Sequence, residues 1–253
     1  MRLRMALAAL LTMVASLGLV GSANAAPTEP TYSPTATGAQ SFLVVRKSGE
    51  LVRWDKASGT YQPQQIGTGW GLDNTKLIAS LSTTQLVEIR QNGYLWDWKY
   101  TAAAGWTGYQ VGPGWGSVTS IAGLATDRFV ALTGSTGYQE WYSPASNHSY
   151  QVVGSYSFPV NQKVISGLSL TSFVAIDTSN FARRYVWNGS GYTANSIGPD
   201  WGNVEQIAGV NANRFVTVRN INNDYRLVEW NLANGAWTSN VYGPGWDDAR
   251  LLG

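Results

Sequence analysis

The chain has 253 residues with 17 basic and 15 acidic side chains, no cysteine, one histidine, 28 glycines, 12 tryptophans and 13 tyrosines. The missing cysteines exclude a disulfide scaffold, a thiol nucleophile and cysteine metal sites. A lone His148 excludes a histidine metal cluster and leaves one candidate for a serine–histidine–aspartate triad. Only 13% of residues are charged while rings abound, the reverse of a disordered composition.

In chain order, Arg2 and Arg4 precede a nearly uninterrupted apolar run over residues 5–20, and Ala23-Asn24-Ala25 supplies a small-x-small cleavage pattern. This three-part layout predicts a secretory signal peptide over residues 1–25. The apolar run is short for a spanning helix, and no other segment approaches that apolar length, so membrane insertion is not expected. Residues 26–37, with Pro27, Pro30 and Pro34 among Thr and Ser, read as an extended, unstructured leader. Residues 38–253 form the predicted folded unit, exported and extracellular; the absence of cysteine fits a bacterial origin.

That unit is an internal repeat. Ile66-Gly67-Thr68-Gly69-Trp70 returns as Val111-Gly112-Pro113-Gly114-Trp115, Ile197-Gly198-Pro199-Asp200-Trp201 and Tyr242-Gly243-Pro244-Gly245-Trp246. A worn copy lies at Val153-Gly154-Ser155-Tyr156, so five copies are spaced 42 to 45 residues apart. A tryptophan precedes each marker glycine: Trp54, Trp98, Trp141, Trp187 and Trp230. A ring also stands six residues before each: Tyr61, Trp106, His148, Tyr192 and Trp237.

Each motif is followed by a short apolar run (77–81, 121–124, 165–168, 207–210), and then by a second (86–89, 128–132, 172–176, 214–218). A third run ends on the recurring tryptophan, and a fourth leads into the next glycine motif. β-Branched and aromatic residues bounded by Gly, Asn, Asp and Ser predict strands joined by tight turns, and Asn92-Gly93, Asn188-Gly189 and Asn234-Gly235 suit hairpins. Four strands per unit make one propeller blade. The C-terminal residues 246–253 match the first strand of a repeat, whereas residues 40–45 match a second strand with none before it. Joined, they complete the ring. The prediction is an all-β, five-bladed β-propeller of four-stranded blades, closed by pairing of the C-terminal strand with the N-terminal blade, which removes two open edges.

The glycine–tryptophan loop, the blade length and the five self-closing copies resemble the tachylectin-type five-bladed β-propeller lectins over essentially all of residues 38–253. The resemblance implies binding of N-acetylated sugars such as N-acetylglucosamine, at equivalent sites repeated near the blade junctions. Residues 154–158 depart from the pattern and put that copy of the site in doubt.

The chemistry agrees with that implication. A neutral sugar needs an aromatic platform, uncharged hydrogen-bond groups and exposed backbone; glycine lets the backbone approach and an indole N–H can donate. The candidate ligand-binding residues are Gly69, Trp70, Asn74, Gly114, Trp115, Asp200, Trp201, Asn203, Gly245, Trp246 and Asp247. Each site would be shallow, and repetition on a ring would add avidity on a multivalent glycan. On this reading Trp201→Ala weakens sugar binding without unfolding the ring. The same rings can instead serve blade packing, so an extracellular protein-interaction propeller is the alternative. A propeller glycosidase would need paired carboxylates facing the axis. No such pair is evident: Glu88, Glu140 and Glu229 fall on middle strands, where exposure is expected, and His148 reads as a substitute ring. No catalytic residue, metal site or cofactor is expected, and no calcium-loop spacing is present. Removing Arg2 and Arg4 leaves 15 basic against 15 acidic residues, so the net charge of +2 belongs to the export segment and argues for no nucleic-acid partner.

Overall fold

The computed structural model of the chain describes residues 41–71, 73–134, 136–144 and 147–253. The signal peptide read at 1–25, the leader at 26–37 and the first three residues of the predicted unit lie outside the described residues.

The first blade contains β1 (Ser41–Arg46), β2 (Leu51–Ala57) and β3 (Thr60–Gly67). The second holds β4 (Thr75–Ser82), β5 (Gln85–Arg90), β6 (Leu95–Thr101) and β7 (Gly105–Gly112). The third holds β8 (Val118–Ala125), β9 (Arg128–Thr133), β10 (Gly137–Tyr142) and β11 (Gln151–Ser157). The fourth holds β12 (Gln162–Ser169), β13 (Ser172–Asp177), β14 (Ala182–Trp187) and β15 (Tyr192–Gly198). The fifth holds β16 (Val204–Asn211), β17 (Arg214–Ile221), β18 (Asp224–Ala233) and β19 (Ala236–Val241), and β20 (Ala249–Leu252) completes the first. Each sheet is a four-stranded antiparallel meander, the first in the order β20-β1-β2-β3. The protein is a five-bladed β-propeller, closed as expected: Val44 pairs with Leu252 and Val45 with Leu251, and Leu43 and Gly253 exchange backbone hydrogen bonds of 2.9 and 3.0 Å.

Side-chain chemistry follows radial position. The second strands are buried almost throughout, as in Ser172–Asp177, because a blade covers each face. The outer strands, such as Ala236–Val241, are largely exposed. The core is therefore five layers between blades. The layer between the fifth and first blades joins Phe42, Val44 and Tyr61 to Val216, Val218 and Leu227.

Around the axis the inner strands meet backbone to backbone. A Cβ on Gly123 would lie 1.8 Å from the Ser80 carbonyl oxygen, one on Gly167 1.6 Å from that of Gly123, and one on Gly209 1.5 Å from that of Gly167. Glycine is required there because no side chain fits between the strands. The remaining axial space, lined by Ser80, Ser166 and these glycines, is about 10 Å³, at the limit for one water.

Strand register corrects two positions of the repeat. Phe42 faces Trp54, Leu86 faces Trp98, Phe129 faces Trp141 and Phe215 faces Trp230, but Phe173 faces Tyr185. Tyr185 thus holds the recurring place in the fourth blade, and Trp187 lies two residues beyond it. Likewise Tyr150, not His148, is the ring of the third blade. It packs edge-on against Phe129 at 5.2 Å, as Tyr61 packs on Phe42 at 5.1 Å and Trp237 on Phe215 at 5.0 Å. In the first and second blades the marker glycine pairs with the residue three before the recurring ring, Gly67 with Leu51 and Gly112 with Leu95, but in the third blade that place, Tyr138, pairs with Tyr156, so counting back from Gly154 lands two residues short.

Candidate functional site

The glycine–tryptophan loops connect the outer strand of one blade to the inner strand of the next. The loop tryptophan donates its backbone N–H to the central hairpin of its own blade: to the turn residues Gly49 (Trp70, 2.9 Å), Gly93 (Trp115, 2.9 Å) and Asn180 (Trp201, 3.1 Å), and to Tyr225 at the start of β18 (Trp246, 3.2 Å). To reach that bond the residue before it turns through positive φ, at Gly69 (+84°), Gly114 (+101°), Asp200 (+71°) and Gly245 (+91°). All four of these residues are exposed, as are Asn74 and Asp247; Asn203 is half-buried.

The indoles do not lie open as platforms. Trp70, Trp115, Trp201 and Trp246 are 5%, 8%, 3% and 7% exposed. Each packs on the recurring tryptophan of the following blade, against Trp98 (4.9 Å), Trp141 (4.6 Å), Trp230 (4.5 Å) and Trp54 (4.5 Å) respectively. The expected sugar-facing rings are wedges between blades, because an indole that closes an interblade layer buries a large apolar area. In the worn copy Phe158, 4% exposed, takes the loop position and meets Tyr185 at 4.9 Å.

The loops and their neighbours do assemble a cleft between the fifth and first blades. Its volume is about 300 Å³, and Arg46, Trp54, Tyr61, Tyr242, Gly245, Trp246 and Asp248 line it. Arg46 Nε lies 3.4 Å from Asp248 Oδ2. The place of Arg46 is held by Arg219 in the fifth blade, whose Nε donates to Asn203 Oδ1 at 2.8 Å and whose Nη2 donates to the Asp200 carbonyl at 2.7 Å. In the second blade Arg90 holds it, 4.0 Å above Trp96. The recurring indoles differ in their acceptors. Trp98 Nε1 donates to Glu88 at 2.9 Å and Trp230 Nε1 to Thr217 at 3.1 Å. Val44 and Ala131 stand at the equivalent places facing Trp54 and Trp141, whose buried Nε1 atoms have no acceptor. An arginine, an aspartate, backbone carbonyls and half-covered rings offer directional hydrogen bonds beside apolar faces, with the Arg46 and Asp248 charges opposed.

Glu88, Glu140 and Glu229 are 1%, 6% and 1% exposed, so the expected exposure is reversed. A propeller covers both faces of its middle strands, and each acid needs partners. Glu88 accepts from Thr75 Oγ1 at 2.6 Å, Trp98 and Arg90. Glu229 accepts from Lys56 Nζ at 2.8 Å, Tyr61 Oη at 2.6 Å and Asn231 Nδ2 at 2.9 Å. Burial by itself raises the Glu229 carboxyl, but these hydrogen bonds outweigh it and hold the group below the usual carboxylate range. Glu140 has fewer partners: Arg128 Nε lies 2.9 Å away without its N–H aimed at the carboxylate, and burial raises this group.

His148 is not the core ring of its blade. Its Nδ1 lies 2.8 Å from Asp97 Oδ2, and it stacks on Tyr109 at 4.4 Å. Asp97 also accepts from Tyr150 at 3.1 Å and Gln85 at 2.9 Å, which ties the second blade to the third. Among the described residues, no group of three His, Cys, Asp or Glu side chains is placed to hold a metal.

No family model and no curated protein sequence matches this chain. Solved structures that resemble it include U3-55K (TM-score 0.46, 14% identity, 78% of this chain and 59% of that one). Others are the WD40 repeats of RRP9 (0.45, 13%, 78% and 58%) and the β-propeller domain of Cps50 (Swd1) from Myceliophteria thermophila (0.44, 11%, 80% and 68%). The chain spans less than two thirds of the first two. The likeness is one of architecture.

Proposed function

We propose that this protein is an exported, non-catalytic carbohydrate-binding propeller of the tachylectin type. It binds N-acetylated sugars such as N-acetylglucosamine on multivalent glycans, and its principal site is the cleft between the fifth and first blades. The observation that carries this reading is that cleft: about 300 Å³, of a size for a sugar unit, and lined by half-covered rings beside Arg46, Asp248 and the Gly245 loop. The sealed axis and the saturation of Glu88 and Glu229 by neighbouring donors support binding rather than hydrolysis, since a glycosidase needs a paired acid and base open to substrate.

A glycan array tests the reading. Signal is expected on N-acetylhexosamine-terminated glycans, and a blank array sinks the proposal. Arg46→Ala removes a charged donor from the cleft, which costs about 1.5–3 kcal/mol, or roughly tenfold or more in affinity. If a protein partner is captured and free sugar does not displace it, the same ring serves protein interaction instead.

A further inference from the structure

A second cavity lies between the outer parts of the first and second blades, away from the loop cleft. Its volume is about 370 Å³, and Arg53, Gln64, Thr83, Thr84, Tyr100 and Trp106 are among its lining. The register shows why it is open. Asp97 pairs with Tyr109 in the second blade as Arg53 pairs with Gln64 in the first. Between the second and third blades, His148 fills this place by stacking on Tyr109 and bonding to Asp97. Between the fifth and first blades, Lys56 fills it by bonding to Glu229. Between the third and fourth, Tyr156 and Trp187 meet there at 5.8 Å. Between the first and second blades the counterpart of Lys56 and Trp187 is Tyr100, and the cavity stays open beside it. Gln64 and Thr84 are exposed, Tyr100 is 44% exposed, and its ring lies 5.7 Å from that of Trp106.

The chemistry is that of a neutral ligand. Arg53 is balanced by Asp55, with Nε donating to Oδ2 at 2.9 Å, and its Nη2 donates to Gln64 Oε1 at 2.7 Å. What remains open is one exposed ring face, side-chain amides and two threonine hydroxyls, which suit C–H faces and hydroxyl edges and offer nothing to an anion beyond a guanidinium already paired. We propose that this groove is a second, non-repeated binding site for a neutral pyranose unit. The inference rests on the carbohydrate reading above and adds to it. The ring would then grip one glycan at two unlike sites, so that affinity on a branched glycan exceeds that of either site alone.

Each site has its own reporter: the Trp54 indole lines the loop cleft and the Trp106 indole lines the groove. In protein with isotope-labelled tryptophan side chains, the two N–H resonances are assigned with Trp54→Phe and Trp106→Phe. The full-length mature protein is then titrated with N-acetylglucosamine and with methyl glucoside, galactoside and mannoside. The proposal expects at least one sugar to shift the Trp106 resonance saturably. Thr84→Trp, which fills the groove from an exposed turn, is expected to abolish that shift. If sugars move Trp54 alone, the second site is overturned and the first stands. If they move neither, both fall. If Thr84→Trp leaves the Trp106 response intact, the shift arises elsewhere and the groove is not the site.

Discussion

The junction between the fifth and first blades and the junction between the third and fourth are built on one plan and finished differently. The first keeps the Trp246–Trp54 wedge at 4.5 Å, a glutamate tied to lysine and tyrosine, and an open cleft. The second has Phe158 on Tyr185, and Tyr138, Tyr156, Phe173 and Tyr192 crowd the same layer. Where the first junction has Arg46, the second has Asp177, which turns back to accept N–H groups of Ser179 and Phe181 at 2.9 Å. The aromatic wedge is present at both, so it answers a packing need. The place of Arg46 is not kept at the second, where Asp177 stands and pairs with Arg183 of its own blade, so that position is free to answer a ligand.

The largest break in this comparison is to remove the wedge. Trp201→Ala, Trp246→Ala and Phe158→Ala each delete a ring that is 3–7% exposed, and each is expected to cost about 3–5 kcal/mol in denaturant unfolding. This replaces the expectation that Trp201→Ala would spare the ring. If Trp246→Ala kept wild-type stability and lost only sugar binding, the wedge account would be wrong and the indole would be a platform after all.

The two glutamates sharpen the comparison by opposite signs. Glu229 is held below its ordinary value of 4.5, so its contribution to stability is complete above that pH and is lost as pH falls through the folded value. Glu140 is raised above 4.5, so its contribution is complete below that pH and is lost as pH rises through the folded value. Glu229→Gln is expected to destabilise by on the order of 3 kcal/mol at neutral pH, because it strands a partly buried Lys56, and to converge with wild type in acid. Glu140→Gln is expected to match wild type in acid and to gain on it as pH rises. Unfolding free energies measured from pH 3 to pH 7 would refute the assignment if the two variants moved in the same direction.

Much of the architecture was legible because it rests on period. Turn residues, short apolar runs and a marker every 42 to 45 residues specify blades, and the match of 246–253 to a missing first strand specifies closure. Pairings between blades were less legible. Nothing along the chain shows that Trp70 meets Trp98 and not a ligand, since the apposition arises only when the ring closes. The burial of Glu229 depends on Lys56 and Tyr61, more than 160 residues away. Tyr150 was misplaced because Gly154 is not at the marker place of the third copy, which Tyr156 holds opposite Tyr138, and Tyr185 because Trp187, two residues on, supplies a tryptophan where a tyrosine holds the recurring place. The crowded axis does leave a mark on the chain: Gly123, Gly167 and Gly209 hold the same place in three inner strands, which close backbone contact explains and a turn does not.

The smallest expected effect separates fold from binding in the loop itself. Asp200 and Gly245 hold equivalent places at φ of +71° and +91°. An aspartate there strains the folded backbone, and a glycine there has more unfolded-chain entropy to lose; the two penalties are each about 1 kcal/mol and nearly cancel. A Cβ at Gly245 would meet nothing within 4 Å. Asp200→Gly and Gly245→Asp are therefore expected to shift stability by under about 0.5 kcal/mol in scanning calorimetry. Their binding should differ. Gly245 lines the cleft, and a carboxylate there would stand near Asp248 and compete for Arg46, so Gly245→Asp weakens sugar binding while Asp200→Gly leaves it unchanged. Equal binding by both variants would mean that the loop backbone, and not the cleft it borders, is all that residue 245 serves.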